Sequence, residues 1–203
     1  MGFQFLKNQK KVGKTDKEIL KEILAGAFAE SDRMQAILRK GKTEKRLKIM
    51  SAYGYDLCSK FNGIYLSKDK STAILYWKKS EFKRSFRDWM NYLSMFLRTV
   101  RVSKVFSTLE REKLVESHRL DIPDYIYVWI LGSDPTRTSI RGLAEIRDHL
   151  NDLSEESGIP VLIETTVEKL LKLYRYVGFE VYDEIFDKTS NVPVWFLKKE
   201  VKG

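Results

Sequence analysis

Residues Tyr125–Leu131 read YIYVWIL, an unbroken apolar and aromatic run near the middle of the chain. A run of this length between turn-forming residues is typical of a strand that is buried on both faces. After the break at Gly132-Ser133-Asp134-Pro135, apolar residues recur at helical spacing from Leu143 to Leu153. We therefore predict a central strand that leads through a polar loop into an amphipathic helix.

The rest of the chain alternates between helical and extended patterns. Helical periodicity marks residues 15–28, 32–39, 43–57, 82–97, 108–120 and 167–177. Shorter apolar runs predict strands at residues 3–6, 64–66, 73–77, 160–163, 179–186 and 192–197, with a hairpin between the second and third. The aromatic face of the helix at 82–97, which includes Phe86 and Trp89, is expected to be buried. The predicted fold class is α/β, or α+β in some schemes, with a mixed sheet in one domain over residues 1–203.

The composition excludes several classes of protein. A chain of 203 residues with 43% hydrophobic residues and only 4 prolines has enough apolar surface for a core, so it is neither disordered nor collagen-like. The single cysteine, Cys58, cannot form an internal disulfide, and with two histidines it makes a poor ligand set, so we expect no metal. No run of about 18 uncharged apolar residues is present, which predicts no membrane span and a cytoplasmic protein.

The net charge of +9 raises the question of an anionic partner. Basic residues concentrate at positions 39–48 and 78–87, and the second cluster is interleaved with Phe82 and Phe86. Because these aromatic residues fall on one helical face and the charges on the other, stacking on nucleic-acid bases is not expected. The pattern favours a solvated basic surface that attracts an anionic cosubstrate.

The loop after the central strand has the composition of an anion site. It carries three hydroxyls, on Thr136, Thr138 and Ser139, and two guanidiniums, on Arg137 and Arg141. The first amides of a helix lack intrahelical partners and carry the positive end of the helix dipole, so they bind phosphates. A capped helix with solvated arginines is the alternative interpretation of the same residues.

Three segments downstream of this loop complete a resemblance to the GNAT superfamily of acyl-CoA-dependent N-acyltransferases. They are Ile159–Thr165 (IPVLIET), Leu173–Glu180 (LYRYVGFE) and Val192–Phe196 (VPVWF). The resemblance extends from about Tyr125 to Leu197 and is only topological before that. It implies a mixed, mostly antiparallel sheet flanked by helices, acetyl-CoA as the cosubstrate, and acetyl transfer to a primary amine by direct attack.

The resemblance also implies roles for individual residues. The backbone of the central strand near Ile130 and Leu131 holds the pantetheine arm and polarises the thioester carbonyl. Tyr174 protonates the leaving thiolate. The pyrophosphate is held by the loop residues Arg137, Thr138, Ser139, Ile140, Arg141 and Gly142.

The loop departs from the pattern Gln/Arg-x-x-Gly-x-Gly/Ala of the family. If Arg137 takes the first position, Ile140 and Gly142 stand at the two glycine positions; if Thr138 takes it, Arg141 and Leu143 do. Arginine side chains then replace some backbone contact with charge. Many relatives also carry an asparagine where this chain has Val167. The alternative function is a degenerate, non-catalytic protein of the same fold whose basic surface binds an acidic macromolecule.

Glu164 and Tyr174 each have a catalytic and a structural interpretation, and the direction of the side chain decides between them. Glu164, at the end of its strand, is the candidate general base, and its alternative role is pairing with a neighbouring lysine. Tyr174 shares a helix face with Val167 and Leu171, so a purely structural tyrosine is its alternative. Two histidines, His118 and His149, are expected at the surface without a catalytic role. The acceptor is a small-molecule or peptide amine, and a homodimer is left open.

Overall fold

The computed structural model describes residues 14–29, 31–119, 121–134, 140–187 and 191–201. The α-helices in these ranges are α1 (Lys14–Ala29), α2 (Asp32–Ile37), α3 (Thr43–Cys58), α4 (Phe86–Thr99), α5 (Val105–Ser117), α6 (Ile140–Ser157) and α7 (Glu168–Tyr176). The strands are β1 (Ile64–Leu66), β2 (Thr72–Lys78), β3 (Ile126–Ser133), β4 (Val161–Thr165), β5 (Glu180–Asp187) and β6 (Val192–Lys199). The strand predicted at residues 3–6 lies outside the described residues. Every other predicted helix and strand is present, with ends displaced by a few residues.

The six strands form one mixed sheet in the order β1-β2-β3-β4-β6-β5. Only β3 and β4 are parallel among the described neighbouring pairs, and the other four pairs are antiparallel. The apolar run at 125–131 forms most of β3, which is paired on both sides as predicted for a central strand. The predicted fold class, with its mostly antiparallel sheet flanked by helices, is confirmed.

Helices cover both faces of this sheet. On one face, here called the α6/α7 face, Ile146 of α6 and Leu171 of α7 pack with Val128 of β3. On the opposite face of the sheet, here called the α1/α3 face, Leu24 of α1 and Leu162 of β4 are fully buried. Helix α5 lies on the same side as α1 and α3, where Val115 packs against Val194 and Phe196. Each fully buried aliphatic side chain contributes about 1.5–3 kcal/mol relative to exposure.

Most of the apolar face of α4 is exposed, so the prediction that this face is buried is wrong for those residues, although Phe96 is buried as predicted. Phe86 is 79% exposed and Trp89 51%, and Met90 and Leu97 are exposed as well. The opposite side of the helix faces the protein because Asp88 forms a capping box with Ser85 and an ion pair with Lys60 beyond the end of α3. Periodicity identifies an apolar face, but the polar anchor at the N-terminus determines which side of the helix packs.

The structure also describes the cysteine, the apolar character of the helices and the grouping of metal-ligating side chains, on which the composition led to predictions. The thiol of Cys58 is free and buried, and its burial raises its pKa. None of the helices in the described ranges has the length and apolar character needed to cross a bilayer. In the same part of the chain, no three His, Cys, Asp or Glu side chains are grouped so as to hold a metal ion.

Candidate active site

The parallel strands β3 and β4 separate before either of them ends. Their pairing covers only Ile126–Val128 and Val161–Ile163, whereas β3 continues to Ser133 and β4 to Thr165. On the other side of β3, the register with β2 skips Trp129, which is therefore a bulged residue. A bulge bends its strand and increases the local twist, so it turns β3 away from β4. Within the described residues, the β4 side of β3 thus has no strand partner beyond Val128.

Ile130 and Leu131, the predicted backbone contacts, both lie in this opened stretch. Ile130 packs on the α1/α3 face and Leu131 on the α6/α7 face. Backbone N–H and C=O groups that lack a ladder partner need another partner, which is the usual reason that an opened strand binds an extended ligand.

The end of α6 that follows β3 is described from Ile140 onward, and Arg137, Thr138 and Ser139 lie outside the described residues. The Ile140 side chain is 88% exposed and Arg141 is exposed, so neither is packed over the helix end. Gly142 is buried, and a Cβ atom there would lie 2.3 Å from Ser71 Oγ. Glycine at this position therefore allows the first turn of α6 to lie directly against the turn between β1 and β2.

Tyr174 lies at the closed end of the opening, on the α6/α7 face. Its side chain is 6% exposed and packs in the cluster that contains Val128 and Ile163, the last paired residues of β3 and β4. Its hydroxyl donates to none of the described residues. Burial raises the pKa of Tyr174, so the phenol keeps its proton at neutral pH. A protonated hydroxyl without a partner is the state that a general acid requires.

Glu164 lies on the opposite face of the sheet. Side chains alternate along β4, and Glu164 stands in register with Phe196 on the side that α5 covers. Its Oε1 atom is 3.6 Å from Nη2 of Arg111, whose Nε donates to Asp187 at 2.9 Å. Its Oε2 atom is buried and has no hydrogen-bond partner among the described residues. Burial, the nearby Glu164 charge and a hydrogen bond that the Tyr127 hydroxyl donates to this carboxylate raise the pKa of Tyr127. The predicted alternative of a lysine partner is thus wrong, since the partner is an arginine from α5.

A cavity of about 450 Å³ opens in front of Glu164 on this face. Arg111, Arg119 and Glu164 line it. So do six aromatic side chains, Trp77, Phe82, Tyr92, Tyr125, Tyr127 and Trp129. The Nε atom of Arg119 is buried without a partner, and its guanidinium carbon is 3.8 Å from the centre of the Tyr127 ring. The sequence did not indicate that Arg111 and Arg119 contribute to this cavity, because the polar face of α5 contains no recognisable motif.

The two histidines are more buried than the sequence predicted. His149 stacks on Tyr65 with ring centres 3.9 Å apart, and its Nε2 atom is 3.1 Å from the Tyr76 hydroxyl. Its burial lowers its pKa to about 4. His118 hydrogen-bonds to Asp183, which lowers the pKa of that carboxyl, and stacks on Phe196.

Another cavity lies elsewhere. It measures about 610 Å³, is bounded by the end of α7 and the end of β6, and is lined by no predicted site residue. Most of the side chains that line it are charged, and Arg147 and Asp148 among them are exposed. Unlike the cavity at Glu164, it does not adjoin the opening between β3 and β4.

No protein-family model matches the sequence, and a search of curated proteins finds no match. Solved structures match the fold over almost the whole chain. The C-terminal condensation domain of Ebony, solved with β-alanyl-dopamine, is 9% identical with a TM-score of 0.68, over 92% of this chain and 95% of that chain. The histone acetyltransferase HPA2 and related acetyltransferase from Corynebacterium glutamicum is 13% identical with a TM-score of 0.61, over 94% of each chain. A putative arylalkylamine N-acetyltransferase 7 from the yellow fever mosquito is 14% identical with a TM-score of 0.61, over 94% of this chain and 85% of that chain.

These similarities confirm the predicted fold. The chain has the fold of the GNAT acetyltransferases. Because the similarity covers 94% of the chain, it extends beyond the region after Tyr125 that carried the sequence resemblance. At identities of 9–14% the likeness concerns architecture. A fold alone does not specify a reaction, so the chemistry depends on the residues at the opening.

Proposed function

We propose that this protein is an N-acetyltransferase that moves an acetyl group from acetyl-CoA to a primary amine of a small-molecule or peptide acceptor. The observation that carries the proposal is the opening between β3 and β4, with the Tyr174 hydroxyl on one face and the Glu164 carboxylate on the other. Within the described ranges, Oε2 of Glu164 is buried without a partner. Such an arrangement supplies both proton-transfer groups that acyl transfer to an amine needs.

The chain's own groups have separate tasks in this reaction. Acetyl-CoA supplies the activated acyl group as a thioester. Amides of β3 near Ile130 and Leu131 that do not pair with β2 donate to the carbonyl oxygen and stabilise the charge that develops there. Glu164 accepts the proton that the amine nitrogen loses as the C–N bond forms, and Tyr174 donates a proton to the sulfur as the C–S bond breaks. Solvent then restores the proton to Tyr174.

The start of α6 is the proposed site for the pyrophosphate. The free amides of the first turn and the positive end of the helix dipole favour an anion, and the arginines at 137 and 141 add charge. The net charge of +9 further favours association with an anionic cosubstrate. The loop lacks one or both glycines of the family pattern, depending on the register, so side-chain contacts are expected to supply a larger share of the affinity than backbone contacts.

Equilibrium binding of acetyl-CoA, followed by calorimetry, tests the proposal. We expect saturable binding by the parent protein and a dissociation constant raised about tenfold in Arg137→Ala and in Arg141→Ala, because each removes a charge-assisted contact of about 1.5 kcal/mol. Arg147→Ala is the matched control, since Arg147 lies farther along α6 and pairs with Asp148. Absence of saturable binding by the parent would overturn the proposal and favour the non-catalytic alternative with a basic binding surface.

A further inference from the structure

The cavity at Glu164 contains two buried polar atoms without partners, one acceptor and one donor. The acceptor is Oε2 of Glu164 and the donor is Nε of Arg119. Buried polar groups in folded proteins are almost always hydrogen-bonded, because an unsatisfied one costs about 1–3 kcal/mol and more when it is charged. Two such atoms of opposite character in one cavity indicate a ligand that carries both a donor and an acceptor.

The position of Arg119 is fixed by its surroundings. Its guanidinium lies over the Tyr127 ring at 3.8 Å, and it forms no ion pair with any described residue. Burial alone would lower the pKa of Arg119, but the combined effect of nearby acidic groups, which include Tyr127 and Glu164, is larger. The pKa is therefore raised, and the guanidinium is charged. A partly buried guanidinium stacked on an aromatic ring presents a planar set of donors that matches a carboxylate.

The other charged groups of the cavity are engaged or exposed. Arg111 is held by Asp187 and Glu164, and the carboxylate of Glu112 accepts from the Tyr92 hydroxyl at 2.6 Å. Lys79 donates to the Ile122 carbonyl at 2.6 Å, Arg84 lies over the rings of Phe82 and Tyr92, and Glu116 is exposed. Among these charged groups, Arg119 and Glu164 are therefore the two that each have a buried polar atom, Nε and Oε2, without a partner in the described part of the chain.

The walls of the cavity are aromatic. The Trp77 ring lies at the centre of this group, 4.4 Å from Phe82, 5.0 Å from Tyr127 and 5.5 Å from Trp129, measured between ring centres. Aromatic walls of this kind bind a flat ring by stacking and edge contacts. A volume of about 450 Å³ is enough for one substituted ring.

We propose that the acceptor is an aromatic amino carboxylate, that is, a molecule that combines an aromatic ring with an amine and a carboxylate. The amine donates to Oε2 of Glu164, the carboxylate accepts from Arg119, and the ring lies between the aromatic walls. The inference rests on the proposed function for the reaction of the amine, but the recognition of the ligand by these groups does not depend on acetyl-CoA.

Three probes that share a phenyl ring separate the two polar contacts. They are L-phenylalanine, phenethylamine, which lacks the carboxylate, and 3-phenylpropionate, which lacks the amine. Binding is measured by calorimetry, with and without saturating CoA. We expect L-phenylalanine to bind at least tenfold more tightly than either of the other two. Equal affinity for L-phenylalanine and phenethylamine, or no binding of any probe under either condition, would overturn the inference.

Variants of Arg119 locate the carboxylate contact. Arg119→Met should lower the affinity for L-phenylalanine to that for phenethylamine and leave the phenethylamine affinity unchanged. Arg119→Lys keeps the charge without the Nε donor and should give an intermediate loss, which provides a second test if the methionine variant does not fold. Arg175→Met, on the exposed side of α7, is the matched control. An equal loss for both probes, or no loss in Arg119→Lys, contradicts the inference.

The outcomes also separate this inference from the proposed function. A protein that binds acetyl-CoA but shows no preference for L-phenylalanine loses only the inference about the acceptor. A protein that shows the preference but does not bind acetyl-CoA loses only the proposed acetyl transfer.

Discussion

Tyr174 and Glu164 lie on opposite faces of the sheet, on either side of the point where β3 and β4 separate. Tyr174 packs with Val128 and Ile163, the last residues that pair, and Glu164 follows Ile163 but faces α5. The two proposed proton-transfer groups are therefore separated by the sheet itself. In the proposed reaction the acyl donor and the acceptor bind on opposite faces of the sheet and come into contact only at the opening.

Replacement of Tyr174 by phenylalanine tests the acid role. Because the hydroxyl has no partner among the described residues, Tyr174→Phe should change the free energy of unfolding by less than about 1 kcal/mol. Turnover should fall about 100-fold or more, while the dissociation constant of acetyl-CoA stays within twofold. Steady-state kinetics with calorimetry and urea unfolding measure the three quantities.

Tyr176→Phe is the control for this experiment, because Tyr176 is on the same helix and fully exposed to solvent at its ring. Its turnover should equal that of the parent. Unchanged turnover in Tyr174→Phe would assign Tyr174 to the core alone.

Glu164→Gln tests the proposed base with little change of shape. The amide cannot accept the proton of the attacking amine, so kcat/KM should fall about 100-fold at neutral pH. The remaining activity should rise with pH, because more of the acceptor amine is then already neutral. Rate measurements across pH for both proteins provide the comparison, with the exposed Glu168→Gln as control. A pH profile and rate equal to those of the parent would contradict the base role.

Local sequence patterns predicted the central strand, the helices and the position of Glu164 at a strand end, because each depends on periodicity over neighbouring residues. They could not predict that Arg111 of α5 pairs with Glu164 of β4, or that Arg119 lines the same cavity. Both depend on how α5 crosses the sheet, which is a matter of topology. For the same reason the alternative role considered for Glu164 names a lysine partner where the structure has Arg111.

The exposed face of α4 gives a prediction about stability. Trp89→Ser removes a side chain that is half exposed and should change the free energy of unfolding by less than about 1 kcal/mol. Phe96→Ala removes a buried ring from the same helix and should cost about 3–5 kcal/mol. Urea unfolding of both variants checks the difference. Equal losses would mean that the Trp89 face is covered in solution.

His149 should make the protein less stable as the pH falls from about 6.5 towards 4. Its pKa is lowered from 6.5 to about 4 in the folded state by burial, so between these values the unfolded chain binds a proton that the folded protein does not. The contribution is complete above pH 6.5 and decreases by about 2–3 kcal/mol by pH 4.5. Urea unfolding at a series of pH values should show this loss in the parent and a shallower dependence in His149→Gln, since glutamine does not titrate and the carboxylates are common to both proteins. Parallel curves would mean that His149 is accessible to protonation in the folded state.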